Sequence, residues 1–196
     1  MRGAAPYPAF LRLEGKRVLL VGGGKIAARK ARDLARCGAR VKVVAPRVCP
    51  EAWEPAERVV ERRFRASDLD GAALAVCATG DEVLNARVSR LCRSRGIWAN
   101  VVDRPPLCDF FVPAVVRRGR VSIAVSTGGA SPFLARRIRR RLQGFLTPED
   151  ARLASVLGRL RPRLLGMSMT RRRRVLAAAA AAGAAGAARE LERGLS

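Results

Sequence analysis

Histidine is absent from all 196 residues, which excludes any hydrolase that relies on a histidine base and leaves no ordinary Cys/His zinc site. The five cysteines (Cys37, Cys49, Cys77, Cys92, Cys108) show neither CxxC spacing nor an even-numbered framework, so a disulfide scaffold is not expected. Long apolar runs are missing too. The longest, 175–188, is mostly alanine and glycine and falls short of the roughly 20 residues a bilayer needs. No charged-then-apolar N-terminal stretch ends in a cleavage site, so no signal peptide is expected and a cytoplasmic protein is. Lysine is almost lacking: only Lys16, Lys25, Lys30 and Lys42 stand among 39 basic residues.

What is abundant is arginine. The net charge of +23 invites a nucleic-acid partner, but the charge is spread along the chain. Residues 1–113 hold 21 basic and 12 acidic side chains, net +9, and residues 114–196 hold 18 and 4, net +14. Arginine bias alongside many alanines is what codon composition alone would give, and a small polyanionic substrate accounts for the balance equally well. Neither a membrane nor nucleic acid is the expected partner.

Residues 17–21 form a short apolar run ending at glycine, the pattern of a buried parallel strand. Helical spacing follows over 25–37, with Ile26, Ala27, Lys30, Ala31 and Leu34 on one side and Gly38 beyond the end. Strands are predicted at 41–44, more weakly at 59–60, at 73–78 and at 97–102, with a helix over 81–95 closed by Gly96. Strands alternating with helices at this spacing mean a Rossmann-like, doubly wound α/β sheet. After Asp103 the texture changes. Alternation through 110–125 reads as a β-hairpin, and Ser131 followed by Pro132 opens a helix expected to reach Leu146. Thr147 caps another helix, and the Ala-rich tail is expected as a weakly packed terminal helix.

Gly22, Gly24 and Ala27 fit G-x-G-x-x-A between strand and helix. The first glycine permits the tight turn, the second lets pyrophosphate approach the backbone, and the small third residue lets helix and strand pack closely. With Gly23, Lys25 and Ile26 they form the expected dinucleotide turn, the pyrophosphate lying at the helix N-terminus. The acidic residue usual at the end of the second strand is missing; Ala45-Pro46-Arg47 stands there. On that ground alone Arg47 leans toward a 2′-phosphate, hence NADP.

Several runs point to one family: Tyr7-Pro8-Ala9-Phe10-Leu11, the glycine turn through Lys30, Val43-Val44-Ala45-Pro46, Cys77-Ala78-Thr79 with Asn85, Asn100-Val101-Val102-Asp103, Cys108-Asp109-Phe110, and Ser126-Thr127-Gly128-Gly129-Ala130-Ser131-Pro132. Over about residues 7–146 the chain resembles the precorrin-2 dehydrogenases, including the N-terminal module of bacterial sirohaem synthase. The resemblance implies oxidation of precorrin-2 to sirohydrochlorin with NAD, in some members followed by insertion of Fe²⁺ as a substrate metal. Ala45-Pro46 is ordinary in that family, which makes NAD rather than NADP the expected cofactor, with Pro46, Arg47, Thr79 and Asn85 beside it. The octacarboxylate substrate would give a basic protein its anionic partner.

By the same resemblance Asp103 is the acid/base residue. It stands just past the fifth strand, where ligands of open α/β sheets bind, and a carboxylate there can take the proton lost on oxidation. It could serve again when pyrrole nitrogens lose protons during chelation, and no fixed metal ligands are expected. Thr127, Gly128 and Gly129 are expected at the tetrapyrrole, with Arg136 or Arg137 assisting and Asp109 as a possible helper. A domain over 1–113 would bind NAD, 114–146 would form a small α+β dimerisation segment, and 147–196 a helical region with the Ala-rich tail. Gly80 departs from the family's polar residue and would loosen the loop over the nicotinamide. The resemblance includes no methyltransferase module. A domain that senses NAD(H) without turnover is the alternative.

Overall fold

The computed structural model describes residues 5–183, 186, 187, 189 and 190. The chain forms two compact units, Met1–Val112 and Pro113–Ser196; segments 114–146 and 147–196 fall together in the second.

The first unit is a five-stranded parallel sheet. Its strands are β1 (Arg17–Val21), β2 (Arg40–Ala45), β3 (Arg58–Glu61), β4 (Leu74–Cys77) and β5 (Trp98–Val101), in the order β3-β2-β1-β4-β5. The order reverses between β1 and β4, the switch point at which such sheets bind ligands. Alternation along β1 explains the two layers. Val18 and Leu20 pack with Ala27 and Ala31 of helix α1 (Lys25–Ala35). Leu19 and Val21 face the other way, toward Val88 and Cys92 of α2 (Glu82–Ser94). Burial on both faces is why the strand reads as an unbroken apolar run.

The exposed edge of β5 is covered. Asp109 N–H donates to the Ala99 carbonyl at 2.8 Å while its Oδ2 accepts Ala99 N–H at 2.9 Å. Asn100 Nδ2 reaches the Phe110 carbonyl. An uncovered edge strand invites pairing with another chain.

A charged side chain also sits inside the first unit. Asp68, buried in the 3₁₀ turn Ala66–Leu69, accepts from Lys42 Nζ at 2.7 Å, from Arg62 at 2.8 Å and from Arg65 N–H at 2.8 Å. Burial alone would push its carboxyl up; these three donors override it and hold the group well below the ordinary carboxylate range. They also explain how a lysine can stand within a parallel strand.

The second unit pairs β6 (Ala114–Arg118) with β7 (Val121–Val125) as an antiparallel hairpin, against which α3 (Pro132–Leu142) packs. Ser131 caps α3 through Leu134 N–H, as its sequence predicts. The helix stops at Leu142 rather than at Leu146. Gly144 is a poor helix former, and the Thr147–Asp150 capping box already starts α4 (Pro148–Leu165). The tail departs further from expectation. Helix α5 (Met169–Ala181) buries Val175 and Ala179 against Leu164 and its neighbours, so that face of the Ala-rich stretch is packed core. Residues 184, 185, 188 and 191–196 of the expected tail lie outside the described residues. Among the described residues no helix is long and apolar enough to cross a membrane.

Asp68→Asn is expected to cost about 2 kcal/mol, since Lys42 and Arg62 would lose their charged acceptor. Because the folded carboxyl titrates below its unfolded value, its contribution is complete at neutral pH. That contribution fades as pH falls below about 4, toward the folded value. Urea denaturation of both chains at pH 7 and pH 3 checks this: the gap should narrow at the lower pH.

Candidate cofactor and catalytic site

Loops leave the carboxyl ends of β1, β2, β4 and β5 in the first unit, and the residues expected at the cofactor, with Asp103, lie on them or on the first turn of the helix that follows. Gly22 has φ +127°, a conformation favourable to glycine. A Cβ there would strike the Ala78 carbonyl oxygen at the end of β4, and one on Gly23 would strike the Arg47 carbonyl oxygen. Cys49 N–H donates to the Gly23 carbonyl at 2.7 Å, which fastens the loop after β2 to the turn.

Gly24 is different. It is the N-cap of α1, yet a Cβ on it would meet nothing within 4 Å. No side chain caps the helix there, and its first turn carries no acidic residue. An N-terminus that is open, uncapped and free of negative charge fits a pyrophosphate. Lys25 and Ile26 are exposed on that first turn, Ala27 is fully buried against the sheet, and Pro46 and Arg47 are exposed beyond β2.

Thr79 and Asn85 hold each other. Thr79 Oγ1 donates to Asn85 Oδ1 at 2.7 Å, and Asn85 Nδ2 donates back to the Thr79 carbonyl at 3.1 Å. Asp81 N–H donates to Thr79 Oγ1, and Asp81 caps α2 through Leu84 N–H. The loop containing Gly80 is therefore tied down at both ends.

Asp103 is the one described non-glycine residue with positive φ, at +58°. It turns the chain just past β5, with Arg104 N–H bonded to the Val101 carbonyl. Its exposed side chain borders a cleft of about 360 Å³ together with Asn85, Glu82 and Arg104, the last two forming an ion pair. A side chain held in the left-handed region costs stability and is a recurrent mark of functional positions.

Two neighbours went unread in the sequence. Cys108 Sγ accepts Val101 N–H at 3.2 Å, donates to the Val101 carbonyl at 3.2 Å and lies 3.4 Å from the Arg104 carbonyl. One thiol thus brackets Asp103 from both sides, and burial pushes that thiol up. Lys30, on α1, is pushed below its ordinary value by burial and by Arg29, an effect opposed by Asp33, Asp103 and Cys108. A cation on the buried face of α1 therefore lies within electrostatic reach of Asp103. A lysine inside the apolar stripe of a helix was the available signal.

Other expected residues do different work. Asp109 bonds Ala99 N–H and Arg93, so both of its oxygens serve the fold. In the second unit, Thr127 Oγ1 donates to the Ser131 carbonyl and accepts Ser131 N–H. Gly128 and Gly129 both have positive φ, and Gly128 N–H goes to Ser126 Oγ. The N–H groups of Gly128, Ala130 and Ser131 are bonded within that turn, and that of Gly129 has no partner among the described residues. Arg136 is exposed. Among the described residues no group of three or more His, Cys, Asp or Glu side chains could hold a metal.

Comparison with known proteins agrees with this geometry. Residues 9–114 match the family described as putative NAD(P)-binding, and residues 118–144 match the sirohaem biosynthesis protein central family. A siroheme synthase of Thioalkalivibrio sulfidiphilus is 44% identical over 155 residues, 77% of this chain and 32% of the relative. One of Azotobacter vinelandii is 46% identical over 158 residues, 79% of this chain and 34% of the relative. The chain thus spans about a third of the length of these relatives. Among solved structures, SirC, a precorrin-2 dehydrogenase, superposes with TM-score 0.70 at 30% identity and covers 88% of both chains.

The two inner glycines should separate on substitution. Gly23→Ala is expected to destabilise by about 2 kcal/mol through collision with the Arg47 backbone. Gly24→Ala should change stability by less than about 1 kcal/mol while weakening dinucleotide binding at least roughly ten-fold, since its methyl fills the pyrophosphate's approach. Denaturant melts beside NADH titrations test the contrast.

Proposed function

The chain belongs to the family of NAD(P)-binding sirohaem-biosynthesis proteins that includes SirC, and from that premise we propose that it oxidises precorrin-2 to sirohydrochlorin with NAD⁺. The observation that carries this reading is the left-handed Asp103 at the rim of a cleft in the same unit as the open glycine turn. NAD⁺, when bound, supplies the hydride acceptor. Gly22, Gly23 and Gly24 shape its seat at the start of α1, and the Thr79–Asn85 pair fixes the neighbouring loop. The Asp103 carboxylate takes the proton that the macrocycle loses as the hydride departs, so the two-hydrogen oxidation balances. Cys108 holds the Asp103 backbone in place.

Fe²⁺ insertion into sirohydrochlorin is the further step we assign to the same carboxylate, which would accept protons from the pyrrole nitrogens while Fe²⁺ passes through as substrate. In the second unit, exposed Arg136 and the Gly129 N–H are the groups we assign to the substrate's carboxylates. A homodimer is part of the proposal, because even with α3 packed on the hairpin only Val116 of its ten strand residues is buried in the single chain, which leaves half-buried Val115 and Ile123 for a second copy to cover. The five cysteines are free thiols, which suits a reducing, cytoplasmic compartment.

An anaerobic absorbance time course with precorrin-2 and NAD⁺ tests the reading. Wild type should form sirohydrochlorin. Asp103→Asn, which tolerates the left-handed backbone, should bind NAD but form none. Asp103→Gly should be inactive and about 1 kcal/mol more stable, as the strain is released. NAD binding without product in wild type would leave a sensor in place of an enzyme, and full turnover in Asp103→Asn would remove the role given to that residue.

A further inference from the structure

Dinucleotide-binding sheets of this order ordinarily grip the adenosine ribose with an acidic side chain at the end of β2. Here β2 ends in Ala45-Pro46-Arg47. One strand over, β3 ends at Glu61, in register with Ala45, which sets the two backbones about 4.8 Å apart. The Glu61 side chain leans back across that gap. Its Oε1 accepts Val48 N–H at 3.0 Å, within the loop that follows β2. The same loop is fastened to the glycine turn through Cys49 N–H and the Gly23 carbonyl. The carboxylate is therefore fixed over the end of β2, although another strand supplies it.

The carboxylate also remains available. Glu57, Asp68, Asp70 and Asp109 pair with arginines, whereas Glu61 makes no ion pair among the described residues. Its single hydrogen bond is to a backbone N–H, the residue is exposed, and Oε2 has no partner among the described residues.

We propose that Glu61 is the specificity-determining residue for the cofactor: it accepts the hydroxyl hydrogens of the adenosine ribose and repels a 2′-phosphate, selecting NAD over NADP. The inference rests on the dinucleotide reading of the glycine turn. A vicinal diol offers two donors to one carboxylate, whereas a 2′-phosphate would set like charges against each other. Arg47, exposed on the same loop, pulls the opposite way, so the preference depends on the carboxylate outweighing it.

Glu61→Gln keeps an oxygen for Val48 N–H and removes only the charge. Equilibrium titration of the full chain with NADH and NADPH should show the variant losing NADH affinity roughly ten-fold, with NADPH binding held or improved and the thermal melt unchanged. Glu61→Ala, at an exposed site where water can take Val48 N–H, should shift the preference in the same direction. Wild-type preference in both variants would overturn the role of Glu61 while leaving the dinucleotide site intact. Wild type binding neither nucleotide would instead overturn the dinucleotide reading beneath it.

Discussion

The first unit depends on the confinement of β1. It pairs with β2 on one side and β4 on the other, and Val18 to Val21 are at most 1% exposed. A strand enclosed on four sides must hand the chain to solvent at its carboxyl end, within a few ångströms of the β4 backbone. Only a residue without a Cβ passes the Ala78 carbonyl oxygen there, and the turn it permits sets α1 running away from the sheet. The opening at Gly24 is the outer face of the same constraint. Packing excludes side chains at Gly22 and Gly23, and a ligand uses the space kept clear one residue later.

The polar groups divide between holding the fold and remaining available. Asp68 fixes Lys42 and Arg62, Asp109 covers the β5 edge, Thr79 and Asn85 fasten one loop, and Thr127 fastens another. These residues position backbone, and their hydrogen bonds are consumed doing so. Asp103 and Glu61, both at the carboxyl edge of the sheet, make no ion pair among the described residues and stay available to a ligand.

The sequence made the sheet legible because β1 and β4 are continuous apolar runs ending at small residues, a pattern that both-face burial imposes. It made β3 faint because that edge strand offers only the half-buried Val59 and Val60. The places of the glycine turn and Asp103 were readable since each lies just past the end of its own strand. Cys108, Lys30 and Glu61 were not, because each acts on a residue distant in the chain or across a turn. Asp109 drew attention as an acid close to Asp103, yet nearness in sequence says nothing about which backbone N–H will claim it. The Ala-rich tail was misjudged for a related reason: alanine signals helix strongly and burial hardly at all, and α5 buries Ala179 completely.

The left-handed turn at Asp103 bears on how such proteins age in evolution. Glycine or asparagine would occupy that backbone at lower cost. On the role proposed for its carboxylate, a descendant that kept the nucleotide and abandoned the chemistry would relax at this position before the glycine turn eroded. Position 103 would then mark retirement from catalysis.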